Sequence, residues 1–536
     1  MRRGVTGIVA VVGAAAVVAP FGAGTATAAP TAVRGVASSA VPGCDSTSIH
    51  AVGDLDGDAV AEIVVGLPDY SGGGAVDVRR TKGGGSVITP ASVGLTGATV
   101  RSQFGKAVLV TELNGDRCAD LVIGAPGHGA AGVVVIALGD PTGWSAANAT
   151  TVAAPTQKYG SDFGWALAMG TDGTGPSAVP FIAVGMPGYP LASRASSGAV
   201  VKFSVPGGVP GALLTATEDT PGVAGTSAAA TRFGGVLATT NGSTILVGIP
   251  HDTVAGRTNA GSVTALQHHA GAWSGVNFTE NSPGIPGVAE RNDYFGFSVV
   301  SGSVVPGGVE GALNFSVGIP GEDIGTVKDA GSVASIRVSG SGTSAVLLHQ
   351  DGTWSGAAVP GVNEAGDSFG YSLATVSTAL DTWALVVGAP YESVGSVSGA
   401  GQLVTFDDGP EMSGTMSIVT EASLARGYVE TSDYFGMTLE SGSYDIEVPD
   451  NVFTSRTRLL VGIVGEKVRS AGSAGAVAWS DERGADGSGI VTFSQGERTG
   501  LHYGQVLGTP VVFRRRAAAG LSGSSCSSAR HRDPSP

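Results

Sequence analysis

Short apolar runs recur along the whole chain. Ile63-Val-Val-Gly66, Leu121-Val-Ile-Gly124, Ile245-Leu-Val-Gly248 and Ala384-Leu-Val-Val-Gly388 are examples, each bounded by Gly, Pro, Asp or Ser. They are rich in β-branched residues and too short for helices, and no convincing amphipathic helical run accompanies them, so the pattern predicts strands joined by turns. Consecutive rather than alternating apolar positions predict strands covered on both faces.

The runs belong to a repeat. Phe-Gly recurs at Phe104-Gly105, Phe163-Gly164, Phe233-Gly234, Phe295-Gly296, Phe369-Gly370 and Phe435-Gly436, with Tyr503-Gly504 as a seventh variant. Gly-x-Pro closes an apolar run at Gly66, Gly124, Gly185, Gly248, Gly318 and Gly388, and Gly462-Ile-Val464 is the variant that lacks the Pro. A small residue and a Gly follow, and in the last five units the step from the first Gly to this second one is constant at thirteen. Each unit has room for four strands. Seven such units predict an all-β fold, a seven-bladed β-propeller with four-stranded antiparallel blades.

These marks resemble the FG-GAP repeat of the propeller at the head of integrin α subunits and of many secreted bacterial proteins. The resemblance covers residues 45–512 as the propeller. A closed ring needs a partner for its first strand. Two segments are candidates, Ser48–Val52 and the C-terminal 501–507, and the second ties both chain ends into one blade.

Two acidic hairpins stand out. Asp54, Asp56, Asp58 and Glu62 fall at offsets 0, 2, 4 and 8, with the Val60 carbonyl at offset 6. Glu112, Asn114, Asp116 and Asp120 repeat the spacing, with the Cys118 carbonyl. Alternate oxygen donors around a Gly-containing turn suit Ca²⁺, which takes six to eight oxygens. The resemblance implies the same ligand sets, so two Ca²⁺ sites are expected, in blades 1 and 2. The later blades lack the acidic ladder, unlike integrin α propellers, whose metal blades lie late in the ring.

A second acidic set follows Gly-x-Pro: Asp252, Glu322, Glu392 and Glu466. A third lies two residues before the Phe: Asp293, Asp367 and Asp433. In the family's blade both loops open on one face, so these carboxylates are candidates for a ligand face. Each also suits a turn, where Asp accepts from backbone N–H groups.

Composition narrows the function. The chain has 29 Lys+Arg against 44 Asp+Glu, and the segment 29–512 carries 22 against 43. Such a body does not suit nucleic acid, which needs basic residues to displace counterions. Arg2 and Arg3, the apolar stretch 7–21 and Ala26-Thr-Ala28 read as a signal peptide over 1–28, followed by a linker over 29–44. The expected product is a secreted, extracellular, monomeric protein without a membrane span, ending in a disordered basic Ser/Arg-rich tail over 513–536. Of the three cysteines, Cys44 and Cys118 are the expected disulfide, because both lie in or beside repeat units, and Cys526 falls in the tail.

Catalytic signals are weak. Gly366-Asp-Ser368-Phe-Gly370 has the form of a nucleophile elbow, but that needs a strand-to-helix turn and here it overlaps the repeat. The resemblance implies a binding or adhesion module for an extracellular protein or glycan. The alternative is an extracellular polysaccharide hydrolase or lyase that uses carboxylates of the acidic face.

Overall fold

The computed structural model describes residues 63–464, apart from 80–84, 117, 119, 141–144, 174–176, 241, 306–310, 380–381, 408–414, 424–428 and 449–451; beyond them it describes 476–480, 491–494 and 506–507. The expected signal peptide, linker, first acidic hairpin, Cys44, Glu466, Tyr503-Gly504 and basic tail lie outside the described residues.

The chain is an all-β propeller with antiparallel four-stranded blades. The described residues form seven four-stranded sheets, numbered here in chain order. Six of them, sheets 2 to 7, each draw four strands from one continuous stretch of chain. Sheet 1 departs from that plan. It has three consecutive strands, Ile63–Leu67, Ala75–Arg79 and Gly85–Ile88, and its fourth is Val506–Leu507, paired with Gly66 and Val65. Of the two candidate closures it is therefore the C-terminal one that forms. The same short strand lies against the first two strands of sheet 7, Phe435–Val448 and Val452–Ile463.

Burial is greatest in the second and third strands and falls towards the fourth, while the first strands of sheets 3 to 5 are mostly half-buried. The second strand of sheet 4, Ile245–Ile249, is buried at every position, as its unbroken apolar run predicts. The fourth strand, Ala272–Phe278, alternates between exposed and partly covered until Phe278. Inner strands have a neighbouring sheet over each face, whereas an outer strand turns alternate side chains to water. One small element escaped the pattern, a two-stranded hairpin of Thr353–Trp354 and Ala357–Ala358, whose buried Trp354 packs edge-on against Phe406 of sheet 6.

The three sequence marks meet at the described joints from sheets 1–2 to sheets 6–7. All six Phe of the Phe-Gly pairs are fully buried. Phe295 of sheet 5 donates its backbone N–H to the Ala260 carbonyl of sheet 4 at 2.9 Å, and Phe369 of sheet 6 does the same to Ala330 of sheet 5 at 2.9 Å. The Gly of Gly-x-Pro faces the next sheet at a distance that no side chain permits. A Cβ on Gly248 would lie 2.2 Å from the Gly296 carbonyl oxygen, and one on Gly318 would lie 2.0 Å from that of Gly370. Glycine is required there by close backbone approach.

Candidate functional site

The acidic hairpin of sheet 2 joins its first strand, Val108–Thr111, to its second, Asp120–Ala125. Gly115 turns the loop at a φ of 76°. Glu112 Oε1 accepts from the N–H of Asn114 at 3.0 Å and of Gly115 at 2.7 Å. Asp116 Oδ2 accepts from the Asn114 side-chain amide at 2.8 Å, and its Oδ1 from the Cys118 N–H at 2.8 Å. Asp120 is fully buried and accepts from Leu113 N–H at 2.8 Å and Gly139 N–H at 2.9 Å. Burial pushes its carboxyl up to about 8; the two backbone N–H groups oppose that rise, while the charges of Glu112 and Asp116 add to it. The donor chemistry therefore fits a hard cation: three acids and an amide on one Gly turn, close enough to repel. Their oxygens are engaged with N–H groups of the loop and of Gly139, however, and the three carboxylates do not gather within 4.8 Å of one another. Cys118 is buried and disulfide-bonded, and its expected partner Cys44 is outside the described residues.

The second and third acidic sets lie where one sheet hands over to the next. Asp293, Asp367, Asp433 and Glu392 are buried, and Asp252 and Glu322 are half-buried. The sets therefore form seams between sheets more than an open acidic surface. The residue two before the Phe caps its own loop. Asp367 Oδ2 accepts from Glu364 N–H at 2.7 Å and Asp433 Oδ2 from Glu430 N–H at 2.5 Å, while Asp293 accepts from Glu290 N–H. In sheet 2 Ser102 fills the same place and accepts from Thr99 N–H at 3.0 Å.

A third member of each seam was not anticipated. Glu218, Glu280, Gln350 and Glu421 each stand two residues beyond a fourth strand and are buried. The recurring Thr217-Glu218, Thr279-Glu280 and Thr420-Glu421 was the signal in the sequence. Between sheets 3 and 4, Glu218 meets Thr231, whose hydroxyl donates to Oε2 at 3.4 Å, and burial pushes Glu218 up to about 7 with help from Asp252. Between sheets 5 and 6, the Gln350 amide donates to Glu392 Oε2 at 2.7 Å. Between sheets 4 and 5 three acids meet. Glu280, Asp293 and Glu322 bring carboxylate oxygens within 4.8 Å of one another. Burial raises all three; Glu322 and then Asp293 push Glu280 higher still, and Asp293 does the same to Glu322.

Above these seams runs a line of aromatic rings that the sequence reading missed. His251 meets Tyr294 at 5.9 Å between centroids, Tyr294 meets Phe297 at 6.5 Å and Phe297 meets Tyr371 at 4.7 Å. The line continues from Tyr371 to Tyr391 at 5.8 Å and from Tyr391 to Tyr434 at 5.4 Å. These residues come from the loops that enter sheets 5 and 7, from the second-to-third-strand loops of sheets 4 and 6, and from the starts of the first strands of sheets 5 and 6. In an antiparallel meander all of these lie at one end, opposite the acidic hairpins. Tyr371 is buried and the other five rings are half-buried. Tyr294 and Tyr434 hold φ of 61° and 55°, a left-handed conformation shared by Gln103, Asp162, Arg232 and Ser368, which also directly precede a Phe-Gly, so it belongs to the joint. At the repeat position of Phe297 and Tyr371, Lys106 of sheet 2 stands over the Trp165 ring of sheet 3 at 4.5 Å.

The family model of the FG-GAP repeat matches residues 104–136, from the first Phe-Gly through most of the third strand of sheet 2. No curated protein matches the chain. Among solved structures, AofleA from Arthrobotrys oligospora is 11% identical, with 72% of this chain and 86% of that one covered and a TM-score of 0.35. A Synechocystis apocarotenoid oxygenase mutant is 10% identical, covering 75% of this chain and 73% of its own, with a TM-score of 0.38. The Aleuria aurantia fungal lectin, described as a six-bladed β-propeller with a novel fucose recognition mode, is 11% identical over 70% of this chain and 96% of its own, with a TM-score of 0.31. Likeness at that level transfers no ligand to this chain.

Proposed function

With the FG-GAP propeller as scaffold, we propose that the chain is a secreted extracellular binding or adhesion module, closed as a seven-bladed ring and stabilised by Ca²⁺ in its two acidic hairpins. The observation that carries the binding role is the continuous line His251, Tyr294, Phe297, Tyr371, Tyr391 and Tyr434 on the loop face. Half-covered rings in series give an apolar platform at low entropic cost, and Tyr hydroxyls supply polar contacts at its edge. A glycan suits it, because sugar C–H faces pack on rings while hydroxyls exchange hydrogen bonds with Tyr and His. The body is acidic, so an anionic glycan is disfavoured.

Ca²⁺ in the sheet 2 hairpin would be held by Glu112, Asn114, Asp116, Asp120 and the Cys118 carbonyl, and in sheet 1 by Asp54, Asp56, Asp58, Glu62 and the Val60 carbonyl. The buried Asp120, with the half-buried charges of Glu112 and Asp116 beside it, supports this assignment. Among the described residues no helix is long and apolar enough to cross a membrane.

The test is a neutral-glycan array probed with the purified chain and with Tyr391→Ala and Tyr434→Ala. Saturable binding that weakens at least tenfold in either variant, with unchanged melting, is expected. Binding that survives both changes, or no binding to any glycan or extracellular-matrix protein, would remove the proposal. Turnover of a polysaccharide would instead favour the hydrolase or lyase alternative.

A further inference from the structure

We infer that Glu280, Asp293 and Glu322 form a further divalent-cation site, of Ca²⁺ type, which pins sheet 4 to sheet 5. Three observations carry it. The three carboxylates come from three separate segments: the end of the fourth strand of sheet 4, the loop that enters sheet 5 and the second-to-third-strand loop of sheet 5. They bring an oxygen each within 4.8 Å of the others. That convergence is built by the joint between the sheets and is not a run of acids on one exposed turn.

Secondly, Glu280 is 1% exposed and neither of its oxygens meets an N–H or hydroxyl donor. A buried carboxylate ordinarily accepts several hydrogen bonds. This one is surrounded by two other carboxylates, with which it can share only a proton or a cation. The chain also closes over it. Gly287, at φ 114°, passes so near that a Cβ there would lie 2.6 Å from Glu280 Oε1. Glu322 Oε2 likewise has no hydrogen-bond partner. The nearby basic side chain Lys328 is paired with Asp323.

Thirdly, the same molecule holds the contrasting solution one joint further on. Gln350 occupies the place of Glu280, and its amide donates to Glu392, which occupies the place of Glu322, at 2.7 Å. There a side-chain N–H supplies the positive end that the sheet 4–5 joint lacks. Hard carboxylate oxygens without nitrogen or sulfur ligands select Ca²⁺ over transition metals, and the flexible coordination of Ca²⁺ tolerates a site assembled from three loops.

The experiment is a metal count on the full secreted chain, dialysed against Ca²⁺-limited buffer and measured by elemental analysis, for the natural sequence, Glu280→Gln and Glu322→Gln. Each variant is expected to hold one Ca²⁺ fewer per chain and to lose one saturable phase in a CaCl₂ calorimetric titration. Because the result is a difference between chains, Ca²⁺ in the acidic hairpins cancels, and Asp120→Asn reports on the hairpin of sheet 2 separately. Equal Ca²⁺ content in the natural chain and in both variants would overturn the site, as would an unchanged number of titration phases. If Glu280→Gln fails to fold, Glu322→Gln, at a half-buried position, carries the test.

Discussion

The joint between sheets 4 and 5 and the joint between sheets 5 and 6 share one backbone plan and differ in a single decisive group. In the first, Glu280 meets Asp293 and Glu322, and its carboxylate finds no donor. In the second, Gln350 donates its amide to Glu392 at 2.7 Å, and Asp367 lies beside Glu392. Replacing O by NH₂ turns a set of like charges into a hydrogen-bonded pair. A repeat can therefore keep its fold while the chemistry at the joint drifts between self-sufficiency and dependence on a cation. The joint between sheets 3 and 4 is intermediate: Glu218 is buried, with the Thr231 hydroxyl at 3.4 Å in place of an Asp.

The comparison can be broken most forcefully by Gln350→Glu. It rebuilds three acids at the sheet 5–6 joint and removes the donor to Glu392. With chelator present, a loss of about 3–5 kcal/mol is expected, the range for an uncompensated buried charge. Ca²⁺ should restore part of that loss. A melting curve equal to that of the natural chain in EDTA would show that the joint carries extra negative charge without a counter-ion.

Next in size is a pH effect at Glu218. Its carboxyl is raised from 4.5 to about 7 by burial. Between those values the unfolded chain has released a proton that the folded chain keeps, so stability is highest below pH 4.5 and declines as pH rises to 7. The span corresponds to about 3 kcal/mol. Glu218→Gln should flatten that decline in urea melts recorded from pH 4.5 to 8; parallel curves for the two chains would refute the assignment.

Smaller still is Thr231→Ala. The hydroxyl has a single proton and three acceptors in reach: Ala228 O at 3.0 Å, Ser197 O at 3.1 Å and Glu218 Oε2 at 3.4 Å. Its removal should lower stability by about 1 kcal/mol and push the Glu218 carboxyl up further, measurable by carboxyl-carbon NMR titration. An unchanged titration would show that Thr231 does not speak to Glu218.

Much of the fold is legible because the repeat marks are themselves the joint. Phe295-Gly296 and the Gly248 that ends an apolar run recur as marks, and the structure shows why: the Phe fills the inter-sheet core and the glycines let two backbones touch. The composite sheet 1 was legible only as an alternative, because Val506–Leu507 is brought to Gly66 by closure and not by any local signal. The acidic hairpin of sheet 2 was legible as an oxygen ladder, since its spacing is local; its occupation by Ca²⁺ is part of the proposal above. The seam of Glu280, Asp293 and Glu322 was half legible. Asp293 and Glu322 keep constant offsets from Phe-Gly and Gly-x-Pro, whereas Glu280 is counted from the end of a fourth strand whose distance to those marks varies. The aromatic line was invisible for a different reason: its residues keep fixed offsets from Phe-Gly and Gly-x-Pro, but nothing local says that those positions touch. Phe297 and Tyr371 share a repeat position, but Tyr391 and His251 come from a different loop, and only the ring of sheets makes them neighbours.

The most direct measurement is anomalous diffraction from crystals grown with Ca²⁺ or Mn²⁺. The account predicts a peak between sheets 4 and 5, within about 2.3–2.6 Å of oxygens from Glu280, Asp293 and Glu322 for Ca²⁺, and none between sheets 5 and 6. A Glu280 carboxyl sharing a proton with Asp293, with no ion beside it at saturating Ca²⁺, would contradict the account.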